Sequence, residues 1–229
     1  MNIFILDINQ KKNIKYHCDK HVVKLILEAV QMLYCCWHVT QEGDEEWKRN
    51  APEGYLKVTH KNHRINRWVR TNYASYDFTV SYAKELLSEY EYRYEKKHSY
   101  IRHVDWLSTN KPDKLDKANN LTLMPVAMPD QYKVDPIQTW DDIVASYRAY
   151  YIAEKLRFCT YRKGDWPSWL PSKPDPKKKE KEEKEEEEKK EEKKKVKKMV
   201  DKTITTTSSR GRKIQKVVQV EEEEEESDE

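Results

Sequence analysis

Apolar side chains fall first in a short continuous run and then at helical spacing, and that change of pattern divides the chain into elements. Residues 2–6, Asn2-Ile3-Phe4-Ile5-Leu6, are closed by the polar, cap-forming Asp7-Ile8-Asn9-Gln10, which predicts one short extended strand. From Lys20 to His38 there is neither glycine nor proline, and Val22, Val23, Ile26, Leu27, Val30, Leu33, Tyr34 and Trp37 recur one or two turns apart. That spacing predicts a first long helix of roughly 30 Å. Gly43-Asp44-Glu45-Glu46 and Ala51-Pro52-Glu53-Gly54 read as loops, with Trp47 on the connection between them. A second helical pattern begins near His63, covers Ile65, Trp68 and Val69, reaches a potential break at Asn72, and continues through Tyr76, Phe78, Val80, Tyr82, Leu86 and Tyr90 to about His98.

Residues 108–136 are rich in Asn, Asp, Lys and Pro and read as a long loop, in which Met124-Pro125 and Met128-Pro129 enclose a short apolar segment. Asp135-Pro136 has the form of a helix start, and Trp140, Ile143, Val144, Tyr147, Tyr151, Ile152 and Leu156 then predict a third long helix to about Thr160. The expected fold is mainly α, one compact helical domain over residues 1–171 with a short extended N-terminal segment. Trp166 and Trp169 should pin its last residues to its surface.

Composition changes this picture after Pro171. All seven tryptophans precede it, while residues 172–229 hold a Lys/Glu run from Lys177 to Lys198, the basic Arg210-Gly211-Arg212-Lys213 and the acidic Glu221–Glu226. Such a segment lacks the apolar residues for a second core and reads as a solvated, disordered or partly helical tail. Residues 1–170 carry 26 Lys and Arg against 22 Asp and Glu, a mildly basic balance that suits a polyanionic partner without demanding one. Cys18, Cys35, Cys36 and Cys159 show no CxxC pair and no regular spacing, so reduced thiols are expected. The opening apolar run is far shorter than the roughly 20 residues needed to span a bilayer. The expectation is an intracellular protein, not secreted, with no membrane partner.

Candidate chemistry concentrates on the first long helix. At 100° per residue Cys18, His21, Lys24, Glu28, Gln31 and Cys35 fall within about 140°, opposite an apolar face. Such a stripe either faces solvent, with an ordinary Lys24–Glu28 pair, or lines a cleft holding an acid, a base and a cation. His17 with His21 and His60 with His63 are imidazole pairs of the kind a metal site uses, although no acidic ligand stands at matching spacing. His60, His63, Arg64, Arg67 and Arg70 interleave with Trp68 and Tyr73, the mixture that phosphates and an unstacked base require. It equally suits arginines paired with Glu85 or Glu89. Glu89, Arg93 and Lys96, and Arg148, Tyr151 and Lys155, form two further polar stripes, so three helices could share one cleft.

Several of these segments resemble an uncharacterised protein family of phages and large DNA viruses over residues 1 to about 160. They are His17-Cys18-Asp19-Lys20-His21-Val22-Val23-Lys24, Thr59-His60-Lys61-Asn62-His63 followed by Trp68, Glu89-Tyr90 with Arg93-Tyr94, Ala127-Met128-Pro129 with Tyr132-Lys133, and Tyr147-Arg148 with Tyr150-Tyr151. This implies a host cytoplasmic, nuclear or virion location and names no activity. Asp19-Lys20-His21 followed by Glu28, with the later His63, Glu89 and Arg93, also resembles the phage-type pyrimidine-dimer DNA glycosylases, all-helical repair enzymes with AP-lyase activity.

The second resemblance implies a cofactor-free mechanism on damaged DNA. An N-terminal α-amine attacks the sugar C1′ to form a Schiff base, and Glu28 stabilises the cation and assists elimination. An α-amine is roughly two to three pH units less basic than a lysine side chain, so a usable fraction is neutral near pH 7. In that family a small second residue is exposed after Met removal; Asn2 disfavours trimming, so Met1 itself would supply the amine, with Lys24 as the fallback. His21 and Lys24 would share the cleft, and Arg64, Arg67, Arg70, Arg93 and Arg148, with His60 and His63, would hold DNA, Trp68 or Tyr73 supporting the opened site. The alternatives are a metal-dependent enzyme of nucleic acids or nucleotides using the same cleft, and a non-catalytic viral DNA-binding protein that binds through its charged tail.

Overall fold

In the computed structural model, which describes residues 1–172, the N-terminal apolar run lies in the core of a helical assembly, with Ile3, Phe4, Ile5 and Leu6 all buried. The run is extended, but the expected strand is not formed: no strand occurs among the described residues. Buried backbone groups must still be paired, and here side chains do the pairing. Asn13 accepts the Leu6 N–H at 2.6 Å and donates to the Phe4 carbonyl at 3.2 Å, and the Arg148 Nε donates to the Leu6 carbonyl at 2.8 Å. The segment is thereby fixed between α1 (Gln10–Lys15) and α7 (Trp140–Tyr150).

The first long helix, α2, spans Asp19–Thr40, and thirteen of its 22 residues are buried. It packs chiefly on α5 (Tyr73–Tyr94), with α1 against α5, α4 (Arg64–Val69) against α2, and α6 (Ile101–Thr109) against both long helices. By length and composition α2 could cross a membrane, yet 67% of its most apolar window is buried inside this fold. Its hydrophobicity is therefore accounted for by the core it builds.

The potential break at Asn72 is a true boundary. Asn72 is extended and its side chain accepts the Ser75 N–H at 3.0 Å, the bond that favours Asn at a helix N-cap. This cap separates α4 from α5, and α5 ends at Tyr94, before Glu95 in the left-handed region at φ 55°. Helix α6 was not anticipated; it closes an aromatic cluster in which Trp106 lies 4.9 Å from Trp37 and 6.2 Å from Tyr34. Trp47 belongs to the same cluster, 5.4 Å from Trp37, and sits buried on a short helix, α3 (Glu46–Asn50), rather than on an open connection.

The third long helix starts later and ends earlier than expected. The Asp135–Pro136 peptide is cis and the chain there is not helical; α7 opens at Trp140 under a Thr139/Asp142 capping box. After Tyr150 the hydrogen-bonding changes to a π turn over Tyr151–Lys155 and a 3-10 turn over Leu156–Phe158. Trp169 packs on Tyr16 and Tyr151, and Trp166 on Tyr161, which ties the last part of the Met1–Pro171 unit to its surface. The Lys/Glu-rich segment lies outside the described residues.

Candidate functional site

Burying Ile3 to Leu6 draws the first two residues of the chain onto the middle of α2. There the Asn2 N–H donates to Glu28 Oε2 at 2.7 Å, and the Met1 α-ammonium lies 4.0 Å from the same oxygen. The carboxylate has only about a tenth of its surface exposed, and its other oxygen meets Lys24 Nζ at 3.2 Å, one helical turn back. Both ends of the Asn2 amide are used: Nδ2 donates to the Ala127 carbonyl at 2.7 Å, and Oδ1 accepts from the Tyr147 hydroxyl at 2.7 Å. That hydroxyl in turn accepts the Ala127 N–H at 3.3 Å. The amine is thus held between α2, α7 and residues 126–128.

Helix α4 forms the next wall. Arg64 donates to the Val126 carbonyl at 3.1 Å while its residue remains exposed, and Asn66 donates to the carbonyls of Thr59 and His60 at 3.1 Å each. Asn66 Nδ2 also approaches Met1 Sδ at 3.8 Å. Burial pushes the His63 imidazole below its ordinary range, and the cationic N-terminus, His60 and Arg64 push it further, against the opposing pull of Glu28. His63 is therefore held toward its neutral form within electrostatic reach of both the amine and the carboxylate.

The remaining stripe of α2 divides. Cys18 and Cys35 are fully buried, and the exposed strip is Lys20, Val23 and Lys24, bordered by the half-buried Leu27 and Gln31, so two residues assigned to the apolar face reach solvent instead. His21 is not beside Glu28. It stacks on Phe4 at 4.6 Å and meets Tyr151 and Phe158 edge-on at 5.1 and 5.7 Å. Its pKa is lowered to about 3, by burial first and then by His17, Lys155 and Lys24. An imidazole so resistant to protonation acts as an aromatic core residue.

The candidate nucleic-acid residues separate in the same way. Arg64, Arg67 and His60 are exposed and Arg70 and His63 half-buried, whereas Trp68 is buried and donates its indole N–H to Thr122. Trp68 supports the loop over α4 and has no face free for a base. Arg93 has no exposed surface: it bonds Glu89 at 2.7 Å, Asp19 at 3.0 Å, and the His17 and Lys15 carbonyls at 2.8 and 3.1 Å. Arg148 holds the Leu6 carbonyl, meets Asp7 at 3.4 Å and lies over the Trp169 ring at 5.1 Å. Both arginines are committed to the fold, and where two of the polar stripes meet, at His21 and Tyr151, the contact is a buried ring pair.

In the two imidazole pairs the Nδ1 atoms of His21 and His63 are buried without a hydrogen-bond partner among the described residues, whereas His17 is fully engaged. His17 is buried, with Nδ1 on the Asn13 carbonyl at 2.7 Å and Nε2 on the Tyr82 hydroxyl at 3.0 Å, so neither nitrogen is open to a ligand. Among the described residues no three His, Cys, Asp or Glu side chains gather as a group able to hold a metal ion. The members that sequence reasoning missed are Asn2, Tyr147 and Ala127. They stand 125 and 145 residues apart in the pairs they form, and no local pattern signals such pairings. Compared with known proteins, the chain matches no family model, no curated protein and no solved structure.

Proposed function

We propose that the chain is a DNA glycosylase/AP lyase acting on damaged pyrimidines through the Met1 α-amine. The observation that carries this reading is the 4.0 Å approach of that amine to a largely buried carboxylate, Glu28, on a long core helix. A neutral amine attacks C1′ of the damaged nucleotide, and the N–C1′ bond forms as the glycosidic bond breaks and the base departs with a proton. Opening of the sugar ring gives a protonated Schiff base, whose positive charge Glu28 stabilises at close range. Removal of the C2′ proton, assisted by the carboxylate, expels the 3′ phosphate; water then releases the sugar and restores the amine. No cofactor or metal enters this sequence.

The nearby exposed cations fit an anionic polymer. Arg64 and Arg67 lie on the exposed side of α4, and Lys24 at the edge of Glu28 is largely in solvent, so their charges are available to phosphates. Lys24 is the second candidate nucleophile, one turn from Glu28. His63, kept toward its neutral form within electrostatic reach of the amine, is a candidate proton acceptor. Such a partner assigns the protein to DNA-containing compartments inside a host cell.

The test is borohydride trapping of purified protein on a duplex carrying one abasic site, after intact mass has established that the chain begins with a free Met1 amine. A covalent protein–DNA band that disappears on N-terminal blocking supports Met1; a band that survives blocking but is lost in Lys24→Ala moves the nucleophile to Lys24. No band from folded protein overturns the lyase reading.

A further inference from the structure

Along α2 the exposed Lys20, Val23 and Lys24 and the half-buried Leu27 and Gln31 form one strip that reaches Glu28 through Lys24. Lys20, Val23, Lys24, Leu27 and Gln31 fall within about 100° of the helix surface at 100° per residue. Val23 is 40% exposed on a helix whose other faces are buried, and Leu27 beside it is half-buried. Lys20 and Lys24 flank Val23 in sequence and are both exposed, Lys20 lying over the Phe158 ring at 5.2 Å. Val23 thus places an apolar side chain in solvent with the half-buried Leu27 next to it, between two cations.

We infer that this strip is the surface that meets the opened duplex, with Val23 and Leu27 against the bases uncovered when the target nucleotide leaves the stack. This deepens the lyase reading above and rests on it for the identity of the reacting nucleotide. The chemistry of the strip favours nucleic acid over a protein partner because its apolar centre is small and bordered by cations. Lys20 and Lys24 hold phosphates of the strand, and short aliphatic side chains are the kind that press between base steps. Position supplies the other argument. Lys24 pairs with Glu28 at 3.2 Å and Leu27 directly precedes Glu28, so this end of the strip borders the carboxylate where the extruded sugar must stand.

Val23→Asn and Leu27→Asn, made separately in the full chain, test the inference on two DNAs. One carries a reactive abasic site, in duplex and in single-stranded form. The other is a duplex with an unreactive abasic analogue beside 2-aminopurine, whose fluorescence rises when its neighbours unstack. The expected result is that wild type raises the 2-aminopurine signal, that Val23→Asn loses most of that rise, and that it traps the duplex about tenfold more slowly while single-stranded trapping is unchanged. Equal loss on duplex and single strand, or wild-type behaviour of both variants, overturns the surface assignment. A fluorescence rise that depends on Val23 with no trapping by wild type retains the surface and discards the lyase chemistry. No rise with wild type overturns the surface itself.

Discussion

Helix α2 carries two ionic clusters, at Asp19 and at Glu28, roughly 14 Å apart along its axis, and they are built in opposite ways. At Asp19 the partner is Arg93, fully buried, with its guanidinium bonded to Asp19, Glu89 and two main-chain carbonyls. Arg162 adds its N–H to both Asp19 oxygens at 2.9 and 3.0 Å. At Glu28 the partners are the Asn2 N–H at 2.7 Å, an α-amine at 4.0 Å, beyond hydrogen-bond range, and a lysine whose side chain is 70% exposed. The first cluster has its donors and acceptors paired off and ties α1, α2 and α5 together. The second leaves a nucleophile-bearing group loosely engaged beside a carboxylate. Saturated pairing marks a structural joint, and unsaturated pairing at comparable burial marks a place where a reacting molecule can enter.

The sharpest way to break this comparison is at Arg93. Arg93→Ala leaves Asp19 and Glu89 without their buried partner, and the expected loss is about 3–5 kcal/mol of unfolding free energy, read from the urea midpoint. A shift below about 1 kcal/mol, a loss typical of exposed ion pairs, would mean that the joint is no joint.

Acid titration probes the buried imidazoles next to it. Burial lowers His17 to about 4 and His21 to about 3, against about 6.5 in an unfolded chain. The unfolded state therefore binds the extra protons first. The stabilisation is present above pH 6.5 and falls as pH drops from about 6.5 toward 4 for His17 and toward 3 for His21, on the order of 3 kcal/mol for His17. His17→Asn should reduce the slope of stability against pH between 6.5 and 4 by up to about 1.4 kcal/mol per pH unit, one proton's worth, measured by chemical denaturation at several pH values; an unaltered slope would show that His17 is not held neutral.

At the Glu28 cluster the effects should appear in reaction and not in folding. Glu28→Gln is expected to slow borohydride trapping at least about a hundredfold while leaving DNA binding and the urea midpoint near wild type. Full activity in this variant would sink the assignment of Glu28. Tyr147→Phe is the gentlest change: it removes the hydroxyl that holds Asn2 and should cost roughly 1 kcal/mol, near a fivefold loss of single-turnover rate. The loss should lie in the rate at saturating DNA with little change in the concentration needed to saturate. The opposite split would mean that Tyr147 contributes to binding and not to holding the amine.

Local patterns carried much of this. The apolar periodicity of residues 20–38, the potential break at Asn72 and the helical pattern about Tyr147 are written in neighbouring residues, because helix formation depends on side chains three and four apart. The Lys24–Glu28 pair is legible for the same reason. What residues 2–6 become was not legible: their apolar run satisfies a strand rule, and only the side chains of Asn13 and Arg148 replace the missing ladder. Nor could sequence tell which arginines are free. Arg64 and Arg93 read alike, yet one lies on the exposed face of α4 while the other is enclosed by α1, α2 and α5.

By itself, then, the sequence determined a mainly helical unit over its first 171 residues, with an acid and a cation one turn apart on its first long helix. Tertiary structure alone decided that the N-terminal amine and Asn2 meet Glu28, with Ala127 and Tyr147 holding Asn2 there. The physical reason is that burying Ile3–Leu6 fixes the course of the chain's first residues, and the contacts this creates join positions more than a hundred residues apart, beyond the reach of any local pattern.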